Sequence, residues 1–400
     1  MIYLLPLLYL VILIVVYDIG GRKHNKYLHF ALVLAGMILI SGLRYRLGRD
    51  TPIYMDYFSD YPTFSRLTWK DFTDLEYQPL WIILNVCARS LGEFAIVQLV
   101  ASAVHIGVWG YALKKICPSL IFSALFFYYL FDYLNFNMLA MRESMAVGFF
   151  LLALLALNKG QKIRMTLWIS AAVLCHIFAL PISIAFLLYY KFLATRPAAG
   201  LLLVVCIALL VLTFQDILSA ILVIVFSNSD STIAHEVMNY STSEFYSGNH
   251  QSLPAKIHLF CKVFFYLYAL RFLVKTSLYD RFIHINQRIF ASMIWLGVLF
   301  LLCNFSMHIF YRPYNYCIFF INILTVLFLK SLTLKIAPRQ RTPVYLCMLT
   351  VPFLFAMRSM LLPDPLNPNE PLYANYYPYS SIFDKTIDPH RENIYKDRYD

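Results

Sequence analysis

Arginines and one aspartate cluster directly after the second long apolar run of this 400-residue chain, in the segment Arg44-Tyr45-Arg46-Leu47-Gly48-Arg49-Asp50. A guanidinium group is planar and always charged, and it pairs with two phosphate oxygens at once. Three such groups so close together indicate a diphosphate site, with Arg44, Arg46 and Arg49 as candidate ligands. The alternative is that these arginines only reach ordinary lipid headgroups from the end of a membrane span.

Two carboxylates in the same polar region are candidates for acid–base catalysis. Asp50 follows the arginines directly, and Glu76 precedes Tyr77-Gln78-Pro79 further along. A carboxylate in such a place either orients the arginines through ion pairs or accepts the proton of an attacking sugar hydroxyl. Asp50 is the first candidate for the base because it stands beside the arginines, and Glu76 is the second.

Arg142 is a further candidate ligand for phosphate, about one turn inside the end of a predicted span. Charges within spans are costly and face a bundle interior or a water-filled cavity. Glu143 is adjacent in sequence but about 100° around the helix, so the two residues do not automatically neutralise each other. Arg142 therefore either forms a buried ion pair with another residue or binds a substrate phosphate.

His176 lies near the middle of the apolar run Leu167–Tyr190, a few residues before Pro181. A lone core histidine often only satisfies a backbone carbonyl. An interior proline breaks a helix, however, and irregular backbone at membrane depth must face protein or a cavity. There His176 is a candidate catalytic residue, as a proton carrier or as a hydrogen-bond donor to phosphate.

A last polar cluster lies between two apolar runs, from Asn304 to Tyr316. Arg312 is a candidate phosphate ligand here. Tyr311, Tyr316 and His308 are candidate sugar-binding residues, as is Tyr54 near the arginine cluster. The alternative for the tyrosines is the enrichment of aromatic residues at membrane interfaces.

The composition predicts what must position these residues, an all-α polytopic membrane protein. Hydrophobic residues make up 60% of the chain and charged residues only 14%, against about 25% charged in soluble domains. The net charge of +11 lies mostly in short loops, which indicates topology and anionic-lipid contact, with no nucleic-acid partner. The eight cysteines form no CxxC pair and read as core residues, and no motif for a metal or cofactor is present.

Eleven apolar runs are present, and we expect about twelve transmembrane helices (11–13) because Leu167–Tyr190 must turn back near His176–Pro181. The remaining runs are Ile2–Tyr17, Tyr27–Leu43, Phe94–Leu113, Leu120–Leu134, Met138–Leu157, Leu201–Phe226, Ile257–Val274, Ile289–Ile309, Tyr314–Leu329 and Val344–Leu361. Only with that reversal do all six basic connections lie in the cytoplasm, with both chain ends outside.

This topology predicts one integral membrane domain, residues 1–361, followed by an outer-facing tail, residues 362–400. The large outer loops would be residues 44–93 and 227–256, the second of them a candidate lid or a short helix-bearing loop. Pro79–Leu91 is short and carries Arg89, so we expect an interfacial helix on the outer surface; a further span is the alternative. Ile2–Tyr17 lacks a basic start and a cleavage site, which favours a span over a signal peptide.

The ordered set of motifs resembles the EpsG-like, Wzy-type polysaccharide polymerases of bacterial envelopes. The matching pieces are Arg44-Tyr45-Arg46-x-Gly48-x-Asp50-x-x-x-Tyr54, Glu76-x-x-Pro79, Arg142-x-Ser144-x-Ala146, His176 in an apolar run, and Tyr377-Pro378-Tyr379 near the end. The resemblance implies a GT-C-like glycosyltransferase of the inner (cytoplasmic) membrane whose active site faces the periplasm or exterior. Such enzymes polymerise repeat units linked to a polyprenyl diphosphate, such as undecaprenyl diphosphate, into O-antigen, capsule or exopolysaccharide.

The expected partners are therefore a lipid-linked oligosaccharide donor, a matching acceptor, the bilayer and a chain-length regulator protein. No cofactor and no metal is expected, because arginines can stabilise a leaving diphosphate. One alternative is a flippase or other transporter of lipid-linked sugars, which predicts charge near the midplane and internal symmetry. Another is a membrane O-acyltransferase of envelope glycans, which predicts a histidine–carboxylate pair.

Overall fold

Helices dominate the computed structural model, which describes residues 2–48, 50–75, 77–193, 200, 202–208, 253–276, 278–306, 308–364 and 367–399. The described part contains a single β-hairpin, in which β1 (Pro363–Asp364) pairs antiparallel with β2 (Asn367–Pro371). Within the described residues, six helices are long and apolar enough to cross a membrane, and five shorter ones are also apolar. This confirms the predicted all-α membrane protein, while the number of spans stays a prediction.

The labelled α-helices of the described part, in chain order, are α1 (Leu4–Leu13), α2 (Lys26–Gly42), α3 (Thr51–Asp56), α4 (Asp71–Asp74), α5 (Pro79–Leu91), α6 (Ala95–Ile116), α7 (Ile121–Tyr128), α8 (Met141–Asn158), α9 (Lys162–Cys175), α10 (Ala179–Leu188), α11 (Leu253–Lys275), α12 (Leu278–Phe282), α13 (Gln287–Ser306), α14 (Tyr311–Asn315), α15 (Ile318–Leu334), α16 (Pro338–Leu361) and α17 (Pro389–Tyr399). Three of them continue into π-helical segments, which are Ile14–Ile19 after α1, Tyr129–Asn137 after α7 and Tyr189–Leu193 after α10.

The chain divides into two compact units. The first combines Met1–Ile177 with Leu329–Asp400, and the second is Phe178–Phe328. The predicted division into residues 1–361 and a tail stays a prediction. The candidate lid at residues 227–256 lies almost entirely outside the described residues, as does most of the run Leu201–Phe226, of which residues 202–208 are helical.

The predicted break near His176 is present. Helix α9 ends at Cys175, His176 has extended backbone angles, and α10 begins at Ala179. Pro181 therefore follows the break and sits in the first turn of α10. A proline costs little there, because the first amides of a helix have no intrahelical acceptor. Pro313 lies in the short helix α14, and a turn in which Cys317 N donates to Tyr314 O separates this helix from α15.

The core of the first unit is built by α2, α6, α8 and α9. Helices α8 and α9 pack as a hairpin, in which Phe149 stacks on Trp168, and α6 lies between α8 and α2. Gly42 lets α2 approach α6 closely, since a Cβ there would collide with Leu99. Two buried hydroxyls of this core pair with each other across α2 and α6, in the 2.8 Å hydrogen bond between Ser41 and Ser102.

Basic residues from separate connections meet at one end of the first unit. Lys26 lies 3.5 Å from the Asp18 carboxylate and donates to the Ser119 carbonyl. Lys330 donates to the Asp18 carbonyl at 2.9 Å, and Lys114 lies over the Tyr27 ring. These are connections that the topology assigns to the cytoplasm. The end of α2, the segment before α8 and the tail meet at the opposite end, where Arg44 and Arg46 lie.

Candidate functional site

Arg44 is fully buried, and the protein itself engages its guanidinium. Nε donates to Leu47 O at 3.2 Å, and Nη2 donates to Thr51 Oγ1 at 3.1 Å and Met138 O at 2.8 Å. Nη1 donates to the carbonyl and the hydroxyl of Ser41. Burial lowers the pKa of Arg44 to about 10, which leaves it charged at neutral pH. Arg44 thus ties the end of α2 to the segment before α8.

The loop after α2 is further held by the tail. The amide of Tyr45 donates to Ser380 O, Gly48 donates to Asn375 O, and Ile382 donates to Leu43 O, each at 2.9 Å. Gly48 has φ +91°, and a Cβ there would lie 3.1 Å from Met138 O, so glycine alone fits without strain. The chain from Leu43 to Gly48 is therefore a fixed element of the site, closed on one side by the tail.

Arg46 is clamped between two carboxylates. It donates to Glu392 of α17 at 2.7 and 2.9 Å and to Asp56 of α3 at 2.5 and 3.3 Å. Burial alone would lower its pKa, but these hydrogen bonds raise the pKa of Arg46 above its ordinary value. The Tyr395 ring lies 5.6 Å from the guanidinium, and its hydroxyl donates to Asp56. Arg46 also has φ +48°, a strained backbone conformation that the clamp maintains.

Arg142 lies at the start of α8 in a cage of neutral groups, which we call the Arg142 cage: Tyr54, Tyr77, Gln78 and Trp81. Its Nε donates to the Tyr54 hydroxyl at 3.2 Å and its Nη1 to Gln78 Oε1 at 3.1 Å. The guanidinium lies 4.6 Å from the Tyr77 ring centroid and 5.7 Å from that of Tyr54. Trp81 packs 5.3 Å from Tyr54. Arg142 is half-buried in this cage.

Asp50 belongs to the surroundings of this cage. It precedes α3, whose Tyr54 contacts Arg142, and Tyr54 N donates to Asp50 O. Burial raises the pKa of Tyr77; the Asp50 carboxylate adds to this rise, and Arg142 opposes it. Both charges therefore act on the same ring. The structure thus brings together three predicted site residues, Arg142, Asp50 and Tyr54, from two distant parts of the sequence.

Two further predicted residues of this region, Arg49 and Glu76, lie outside the described residues, although their neighbours Gly48, Asp50 and Tyr77 are placed. His176 is buried just past the end of α9. At 1.5 Å per residue, the 18 residues of α8 rise about 27 Å and the 14 of α9 about 21 Å. His176 is therefore at the Arg142 end of this helix hairpin, about one turn deeper.

The remaining candidates belong to the second unit. Arg312 lies 5.3 Å from the Phe178 ring centroid, and Tyr311 packs against Tyr314. Tyr316 is fully buried, and His308 begins a short 3-10 helix, Tyr311 a short α-helix. These four residues lie in a different compact unit from the Arg142 cage. Their roles in phosphate and sugar binding stay predictions.

Comparison with known families gives one match, to the model of the EpsG family, over residues 27–381. The chain belongs to the EpsG family. This membership confirms the predicted relationship to polysaccharide polymerases, and it makes the chain a membrane protein of the polysaccharide-polymerase type. Comparison with curated proteins and with solved structures gives no significant match. Most of the first unit, including the Arg142 cage and the loop after α2, lies within the part matched to EpsG.

Several residues of this EpsG-family site were not singled out from the sequence. Asp56 and Glu392 clamp Arg46, and Tyr77, Gln78 and Trp81 complete the Arg142 cage. The sequence could have indicated two of the cage residues, since Tyr77 and Gln78 lie inside the Glu76-x-x-Pro79 motif. Among the described residues, no three histidine, cysteine, aspartate or glutamate side chains are grouped as metal ligands.

Proposed function

We propose that this EpsG-family protein is a membrane glycosyltransferase with a GT-C-like fold, which polymerises oligosaccharide repeat units carried on a polyprenyl diphosphate. The Arg142 cage carries the proposal. Arg46 is occupied by carboxylates, whereas Arg142 is bonded to a hydroxyl and an amide oxygen and stays partly exposed. Aromatic faces beside a fixed guanidinium suit a sugar joined to a diphosphate, because the rings stack on the sugar and the fork binds phosphate oxygens.

In this proposal, Arg142 binds the donor's diphosphate and Asp50 is the base. Asp50 takes the proton of the acceptor's hydroxyl as its oxygen bonds to the donor's anomeric carbon. The bond from that carbon to the diphosphate breaks, and its electron pair leaves with the diphosphate, whose charge Arg142 stabilises. Glu76 and His176 are the alternative bases, Arg49 is a second phosphate ligand, and Tyr54 contacts the sugar.

The contacts of Arg44 and Arg46 favour positioning roles for these two residues. Arg44 fixes the loop beside α8, and Arg46 joins the tail to α3, which carries Tyr54. Arg312 stays a proposed phosphate ligand, and Tyr311, Tyr316 and His308 stay proposed sugar-binding residues. Because mutation of a positioning residue changes stability and mutation of a ligand does not, the two classes can be separated by experiment.

We further propose that the Arg142 end faces the outside of the bacterial inner membrane. The support is the grouping of Lys26, Lys114 and Lys330 at the opposite end, since lysine-rich and arginine-rich short loops stay cytoplasmic. The substrates would then be taken from the outer leaflet after a flippase has delivered them, and the product would be a surface polysaccharide. A chain-length regulator is a proposed partner.

The test is chain extension by the full-length protein in lipid nanodiscs supplied with purified lipid-linked repeat units. We expect products of several repeats, and full activity in chelator because the arginines replace a metal. Arg142→Lys keeps the positive charge but loses the paired N–H donors of the guanidinium. The rate of chain extension should therefore fall by about 10²–10³-fold, as for removal of an oxyanion-hole donor. Arg164→Lys, an exposed site on α9, is the matched control.

Three outcomes would contradict the proposal or part of it. Movement of the lipid-linked units between leaflets without any extension would indicate a transporter, and acyl transfer to the glycan would indicate an acyltransferase. A strict requirement for Mg²⁺ or Mn²⁺ would remove the metal-independent mechanism but leave the reaction itself. Unchanged extension by Arg142→Lys would remove the assigned diphosphate ligand.

A further inference from the structure

A cleft of about 190 Å³ lies beside the loop after α2, and Met55 of α3 is one of the residues that line it. Its walls include Tyr45, Phe58, Arg89, Phe94, Gln98 and Lys385. The cleft is smaller than the roughly 300–1,000 Å³ of sites for drug-sized ligands, so it suits a single small ring. Every lining residue belongs to the first unit.

Gln98 is the feature of this cleft that indicates a ligand. It lies in the first turn of α6 and is fully buried, yet it lines the cleft. Neither its amide oxygen nor its amide nitrogen has a hydrogen-bond partner within the part of the chain that the structure describes. A buried amide without partners destabilises a protein, so its presence in an apolar helix is explained if a ligand supplies the hydrogen bonds.

The chemistry of the lining indicates the class of that ligand. An amide both donates and accepts, which matches adjacent hydroxyls of a sugar better than it matches an anion. Phe58 packs against Phe94 at 5.3 Å, and Arg89 lies 5.7 Å from the Phe58 ring centroid. These rings give the cleft an apolar wall for the face of a sugar. Arg89, Lys385 and Glu93 also line the cleft, so charges of both signs are present and the probes include neutral and acidic sugars.

Helix α3 contributes a residue to this cleft and another to the Arg142 cage. Three consecutive residues of this helix have different contacts: Tyr54 contacts Arg142, Met55 lines the cleft, and Asp56 binds Arg46. We propose that the cleft is a second glycan subsite, which binds one sugar ring of the oligosaccharide away from the reacting diphosphate. That this sugar belongs to a polymerase substrate rests on the proposed function. That the cleft binds a sugar ring rests only on the cleft itself.

The test is ligand-observed saturation-transfer NMR on the full-length protein in nanodiscs. The probes are the methyl glycosides of glucose, galactose, N-acetylglucosamine and glucuronic acid. We expect saturation transfer to at least one of them, with affinity weakened at least tenfold in Gln98→Leu. Ala95→Leu, which narrows the cleft without changing Gln98, should weaken binding as well. Gln340→Leu, the same substitution at an exposed site on α16, should bind as the unmodified protein does.

A thermal measurement on the same samples separates loss of the site from loss of the fold. Because Gln98→Leu removes an unpaired buried amide, its melting temperature without sugar should be unchanged or higher. Absence of transfer to all four glycosides, or equal transfer in Gln98→Leu and the unmodified protein, would overturn the proposal. Gln98-dependent binding by a protein that extends no lipid-linked chain would support the subsite and contradict the polymerase function.

Discussion

Replacing Arg44 with lysine should destabilise the protein, because this arginine is a buried structural connector. An ammonium group has three donors on a flexible stem and cannot hold Leu47 O, Thr51 Oγ1 and Met138 O in the fork geometry seen for Arg44. At least two buried acceptors would lose their donor. At about 1–3 kcal/mol for each, the unfolding free energy should fall by about 2–6 kcal/mol.

The assay is thermal unfolding of the detergent-purified protein, followed by size-exclusion chromatography. A loss of this size corresponds to a melting temperature lower by on the order of 5–20 °C, at 2–4 °C per kcal/mol. Arg66→Lys, the same change at an exposed position, should not alter it. If Arg44→Lys melts like the unmodified protein but has lost chain extension, Arg44 contacts substrate and the structural reasoning is refuted.

Three further predictions concern the loop and the tail that packs on it. Gly48→Ala should cost about 1–2 kcal/mol of unfolding free energy because φ is +91°, which thermal unfolding would show; an unchanged melting temperature would contradict this. Arg46→Lys should free the tail to limited proteolysis, since the paired bonds to Glu392 are lost, and Glu392→Gln should do so less. The Ser381 amide donates to Asp384 and lowers the pKa of this carboxylate, so the turn should be fully stabilised above about pH 4 and lose that stabilisation as the pH falls further. Amide exchange in the turn, corrected for the intrinsic rate, should therefore become faster at low pH in the unmodified protein. It should show no such change in Asp384→Asn.

The grouping of Arg142 with Asp50 and Tyr54 could be predicted because topology alone assigns these residues to one side. Apolar run length and the positions of basic loops place the start of α8 and the loop after α2 at the same end. The break at His176 was likewise visible, since an apolar run long enough for a reversal carries a histidine and a proline. The place of Pro181 could not be predicted, because a proline fits the first turn of the following helix as well as it fits a break.

The partners of the arginines could not be predicted. Arg44 resembles a phosphate ligand in sequence, but it is saturated by Met138 O, a backbone group 94 residues away that carries no side-chain signal. Glu392 is 346 residues from Arg46 and reaches it only because the tail folds back over the loop. Gln98 offered a signal, as a lone amide in the first turn of an apolar helix, yet its meaning depends on the cleft that α3 and the tail complete.

The most direct test of the central claim is the sidedness of the arginine-bearing end. Single cysteines at Ser65, beyond α3, and at Lys23, before α2, are both exposed and lie at opposite ends of the first unit. In a background lacking native cysteines, a membrane-impermeant maleimide should label Ser65→Cys in intact bacterial spheroplasts and Lys23→Cys only after lysis. Labelling of Lys23→Cys in intact spheroplasts, with Ser65→Cys protected until lysis, would place the Arg142 cage in the cytoplasm and contradict an outer-leaflet polymerase.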